Sequence, residues 1–136
     1  MEIFKAMLIA GAGGFAGTCL RYLIGIFAKP LYCGAFPLGT FIVNALGCFI
    51  IGIVLGISEK SGALNSNHVL FLATGFCGGF TTFSAFANDA WTLGAKGDLL
   101  ISALYIAASL IVGIVCVWIG RMIFNSPKIT LKKLKT

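Results

Sequence analysis

The stretch GFCGGFTTFSAF, residues 75–86, lies inside a run from Ser61 to Asn88 that holds no Asp, Glu, Lys or Arg. About 20 apolar residues cross roughly 30 Å of hydrocarbon as a helix, so this run reads as a membrane span. Its centre is unusual for one. Gly78 and Gly79 each cost a helix interior about 1 kcal/mol relative to alanine. Thr81 and Thr82 then add two β-branched hydroxyl side chains. Together they predict a helix break near residues 78–82. A break frees backbone N–H and C=O groups, which a bilayer tolerates only where they are buried in protein or turned toward an ion or water. Interrupted spans with exposed helix ends recur at ion and substrate sites. The competing reading is a glycine packing notch on an unbroken helix.

The rest of the chain agrees with a membrane setting. Of its 136 residues 59% are apolar and 10% charged, against about 25% charged in a typical soluble domain. Mean hydropathy is +1.02. The fold class expected is all-α integral membrane: one domain over 1–136, four transmembrane helices at about 3–28, 36–57, 68–95 and 98–124, and a basic tail at 125–136. The links between the apolar runs are short and leave no room for a globular domain. The first span reads as a retained helix, because its apolar run is long and lacks a clear small-residue cleavage site.

The net charge of +6 does not point to nucleic acid. Lys128, Lys132, Lys133 and Lys135 sit in the tail, where basic residues beside a span face anionic lipid or fix topology. With four spans, both termini and the loop at Glu59 share one side, together with Lys5, Lys60, Arg121 and the tail lysines. Lys29, Lys96 and Arg21 belong to the other. This bias puts the termini in the cytoplasm, and it vanishes without the tail. The five cysteines, at 19, 33, 48, 77 and 116, show no C-x-x-C spacing and read as small hydrophobes.

Polar residues inside the spans carry the functional signal. Asn44 sits mid-span with Thr40 one turn earlier. An amide in hydrocarbon needs partners, and an interhelical hydrogen bond worth about 0.6 kcal/mol is the plain structural reading. Gly13/Gly17 and Gly52/Gly56 have G-x-x-x-G spacing and predict close helix packing. Phe83 and Phe86 are three apart and share a helix face; ring edges are electropositive. Ser84 offers a hydroxyl nearby. Tyr105 and Ser109 are an i, i+4 pair, and Ser102 continues their side of the fourth helix. Asn44, Thr81, Thr82, Ser84, Tyr105 and Ser109 are all uncharged. Such a set suits a small anion that must be bound weakly enough to leave again.

At these residues the chain resembles the Fluc (CrcB-type) fluoride channels, over nearly its whole length. GGFAGTCLRY (13–22), PLGTFIVNALGCFIIG (37–52), GFCGGFTTFSAF (75–86) and the Tyr105/Ser109 spacing carry the resemblance. It implies antiparallel dimers of four-helix subunits, with the third helix broken mid-membrane. It implies two pores that export fluoride from the cytoplasm by passive electrodiffusion, lowering fluoride toxicity. It also implies a central structural sodium ion, held by backbone carbonyls that fall on Gly78 and Thr81. Fluoride-pore positions fall on Asn44, Phe83 and Phe86, with Ser84, Thr82, Tyr105 and Ser109 as neighbours. Arg21 falls on a family arginine with a structural or vestibule role.

Two positions depart from the family pattern: Ala85 replaces a threonine, and Asp89 a glutamate. The lysine tail favours pairing with an oppositely oriented homologue, since a homodimer needs one chain to insert both ways; the homodimer is the alternative. A non-conducting partner subunit is a second functional reading. A small multidrug-type transporter is a third, disfavoured because the first span has no acid beyond Glu2. Catalysis is not expected: the lone His68 has no carboxylate pair, metal cluster or nucleophile beside it.

Overall fold

The computed structural model describes residues 1–28, 34–61 and 64–124, without the side chains of residues 60 and 61. Cys33, Lys29 and the basic tail lie outside the described residues. The described chain is all helical. Helix α1 spans Glu2–Ala28 and α2 spans Leu38–Ser61. Helix α3 covers 66–80, α4 spans Phe83–Ala95 and α5 spans Leu99–Phe124. Four segments are long and apolar enough to cross a membrane, with 66–95 counted as one.

The starts of α3, α4 and α5 have local causes. Asn65 caps α3, its Oδ1 accepting from His68 N–H at 3.0 Å. Thr82 caps α4, its Oγ1 accepting from Ala85 N–H at 3.2 Å. Gly97, with φ +91°, turns the chain from α4 into α5, a conformation glycine adopts without penalty.

Two helix pairs form the body: α1 against α3, and α2 against α5. Glycine makes both. A Cβ on Gly17 would overlap Phe76 O, and one on Gly79 would overlap Gly14 O. One on Gly75 would stand 2.6 Å from Ala10 O. In the second pair a Cβ on Gly52 would overlap Val117 O, and one on Gly120 would stand 2.5 Å from Phe49 O. Backbone therefore lies on backbone, as the spacings Gly13/Gly17 and Gly52/Gly56 predict.

Helix α3 differs from a plain span in two ways. Leu70–Cys77 is π-helical, wider than an α-helix, a rare form frequently found at functional sites. The chain then leaves the helix at Thr81 (φ −81°, ψ 159°) and Thr82 (φ −150°, ψ 116°), both extended. Gly78 itself stays helical at φ −63°, ψ −37°. So the interruption is at the threonines, whereas the glycines before them are read by packing: Gly79 lies against α1, while Gly78 faces open space.

The outside is apolar. Phe4 and Phe15 on α1, Phe83 and Trp91 on α4, and Leu104, Ile114 and Trp118 on α5 are exposed. Val43, Val54, Cys77, Phe80, Leu93 and Tyr105 are buried inside.

Candidate functional site

The interruption between α3 and α4 organises the site. Thr81 N–H and Thr81 Oγ1 both donate to Cys77 O, at 2.9 and 2.8 Å, which closes α3. In a continued helix the N–H of Thr82 would serve Gly78 O. It turns instead to Asn44 Oδ1 at 2.8 Å, and Asn44 Nδ2 donates back to Thr82 O at 3.2 Å. One amide side chain thus pairs with both polar groups of Thr82. Three residues on, Gly47 lets α2 approach so closely that a Cβ there would overlap the Thr81 methyl. Thr82 Oγ1 lies 3.2 Å from Ser84 Oγ.

Arg21 completes the end of α3. Its Nε donates to Gly79 O at 3.1 Å, and Thr18 Oγ1 reaches the same oxygen at 3.3 Å. A cation at a helix C-terminus also opposes the negative end of the helix dipole. Arg21 lines a cavity of about 470 Å³ between α1, α2 and α4, together with Tyr22, Phe36, Thr40, Thr82, Ala85 and Asp89. Asp89 Oδ2 accepts from Thr40 Oγ1 at 2.7 Å. Thr40 and Asn44, one turn apart, therefore hold α4 at two points, Asp89 and Thr82.

A row of rings runs beside this contact. Phe83 and Phe86 have centroids 5.7 Å apart; Phe86 and Tyr105 are 5.3 Å apart. Tyr105 is 0% exposed, whereas Phe83 is 79% exposed. The hydroxyls of Tyr105 and Ser109 are buried with no partner within 3.5 Å, although the side chains of Thr40 and Asp89 lie close to that of Tyr105. Such groups normally find one, because an unpaired buried polar group costs about 1–3 kcal/mol. Ser102 is different: its hydroxyl donates to Ala90 O at 2.8 Å and pins α5 to α4.

The structure thus gathers Asn44, Thr82, Ser84, Phe83, Phe86 and Tyr105 around α4, with Ser109 one turn below Tyr105. Gly78 and Thr81 lie at the end of α3. Reasoning from sequence missed Phe36, Phe41 and the Thr40–Asp89 bond. Phe36 is 5.3 Å from Tyr105 at 90°, and Phe41 is 5.4 Å from Phe36. Both sit in the expected second span, 36–57, but nothing in their spacing pairs them with the last helix.

Helices of membrane-crossing length, apolar outside and polar at an interrupted helix within, define a multi-pass membrane protein. Residues 8–121 match the family described as CrcB-like protein, Camphor Resistance (CrcB), and the chain belongs to that family. A relative from Prosthecochloris aestuarii, named fluoride-specific ion channel FluC, is 45% identical over 88% of this chain and 92% of its own. Those from Chlorobium phaeobacteroides (40%, over 90% and 94%) and Chlorobaculum tepidum (41%, over 89% and 95%) bear the same name. That name is a channel's, not an enzyme's.

Proposed function

We propose that this chain is a subunit of a fluoride-selective channel that lets the ion leave the cytoplasm down its electrochemical gradient. The relatives' names supply the ion. The observation that carries the reading is the buried Tyr105 side chain against Phe86, itself beside Phe83, with the buried Ser109 hydroxyl one turn along the same helix. Hydroxyl donors and electropositive ring edges replace part of an anion's hydration without offering a full charge to trap it. The remaining N–H of Asn44, Ser84 Oγ and Thr82 Oγ1 extend the donor track.

The pore needs a second subunit. Phe83 stands in the open on a single chain, so its other wall comes from elsewhere. Gly78 also faces open space, which leaves room for close approach of another backbone. An antiparallel partner, with the interruption at mid-membrane, fits both. Termini in the cytoplasm follow from the lysine bias. The tail favours an oppositely oriented homologue over a second copy as partner.

A structural sodium ion fits the donor chemistry at the same place. With Thr82 N–H diverted to Asn44, Gly78 O is free of the helix ladder, and the carbonyls of Gly78 and Thr81 would hold the ion. Hard cations prefer oxygen ligands. Sodium would supply a positive centre that offsets carbonyl ends contributed by two subunits. Melting temperature in detergent should rise with sodium over choline at equal ionic strength; no difference would sink this part of the reading.

The function itself is tested by fluoride efflux from liposomes at a fixed potassium-driven voltage, with chloride as control. Fluoride loss without chloride loss is the expected result, either alone or with the oppositely oriented homologue. Flux by the chain alone would settle the partner as a second copy. Silence in both preparations would end the channel reading.

A further inference from the structure

Phe36 belongs to none of the roles above. It lies just before α2, half buried, with its ring perpendicular to Tyr105 and 5.3 Å away. Ring contacts therefore run without a gap from exposed Phe83 through Phe86 and Tyr105 to Phe36. Of these four rings, only Phe36 also lines the cavity beside Arg21. It stands between the buried Tyr105 ring and a cavity whose wall carries both the Arg21 guanidinium and the Asp89 carboxylate, the latter already engaged by Thr40 Oγ1. A perpendicular ring pair directs one electropositive edge at its neighbour and leaves further edge hydrogens for a third group.

Resting on the fluoride-channel reading, we propose that Phe36 is a selectivity residue at the cavity end of the anion path. Its ring edge meets the ion as it passes between the Arg21 cavity and the Tyr105 hydroxyl. The ring takes part by its electrostatics, so an aliphatic side chain of similar bulk cannot replace it, whereas another aromatic can.

Phe41 provides the control. It packs on Phe36 at 5.4 Å and does not line the cavity. Fluoride and chloride flux are measured in liposomes for the unaltered protein, Phe36→Leu, Phe36→Met, Phe36→Trp and Phe41→Leu, in the assembly that conducts. Each variant is checked by size-exclusion profile and melting temperature. Phe36→Leu should lower fluoride flux about tenfold, the size of one lost ring-edge contact, and narrow the preference over chloride. Phe36→Trp should stay within about threefold of the unaltered protein, and Phe41→Leu likewise. If Phe36→Leu does not fold, Phe36→Met carries the same expectation. Normal flux and selectivity in both aliphatic variants would overturn the proposal, as would an equal loss in Phe41→Leu, which would make packing the cause. An unaltered protein that passes no fluoride in any assembly overturns the channel reading and this one with it.

Discussion

At the scale of single residues, Asn44 matters because of what the interruption leaves unpaired. Its amide offers a separate acceptor and donor, which match the N–H and the C=O of one residue, Thr82. Asn44→Ala should therefore cost about 1–3 kcal/mol and abolish flux, read as a lower melting temperature and a silent liposome assay. Asn44→Asp keeps the acceptor for Thr82 N–H and loses the donor to Thr82 O, so its loss of stability also reports the penalty of a buried charge. Arg21 makes the parallel case for Gly79 O. Arg21→Lys replaces a directed N–H with a mobile ammonium, and about 1–2 kcal/mol of stability should go with it in chemical unfolding. The sequence showed that Asn44 needs partners and gave Arg21 a structural or vestibule role. It did not show the partner of either, because each is a backbone group, 38 or 58 residues away.

Among the helices, glycine decides which faces touch. Gly17→Val should force α1 off α3 and cost at least about 1–3 kcal/mol, since its side chain would enter the space of Phe76 O. Gly11→Ala, on the same helix with nothing within 4 Å, should leave thermal stability unchanged or slightly higher. A comparison of the two melting curves checks the packing directly. That Gly13/Gly17 and Gly52/Gly56 pack closely was legible in advance from their four-residue spacing, but the helix each pair meets was not. The spans were legible from apolar length alone. The interruption was located to within a few residues, and the threonines rather than the glycines turned out to carry it. Nothing announced the π-helical turn at Leu70–Cys77, since i→i+5 bonding leaves no compositional mark. The ring row from Phe83 to Phe36 was half legible: Phe83 and Phe86 share a face by spacing, but Tyr105 and Phe36 arrive from other helices.

For the molecule as a whole, the excess of exposed apolar side chains fits lipid on most sides, and Trp91 (75% exposed) and Trp118 (60%) are the amphipathic rings expected near bilayer interfaces. Orientation rests on the lysine tail. A tag at Thr136 should be reached by protease from the cytoplasmic side alone; removal of Lys128, Lys132, Lys133 and Lys135 together should give a mixture of both orientations. Finding the intact chain in both orientations would instead favour a partner identical to it. The charge asymmetry was fully legible in the sequence, since it needs only a count of basic residues beside each span.

The backbone-on-backbone seams have a consequence for heritable variation. Along α1/α3 and α2/α5 the glycines leave almost no substitution that fits, so those halves should be brittle to mutation. Helix α4 is tied to them by side-chain contacts at Thr40–Asp89 and Ser102–Ala90 and by the Asn44–Thr82 pairing at its start. Its exposed positions between these ties are free to change at little cost in folding. Heritable change would accumulate there first, at exposed positions such as Ala87 and Asn88, whereas Asp89 sits at a tie itself and Ala85 at the Thr82 cap beside another.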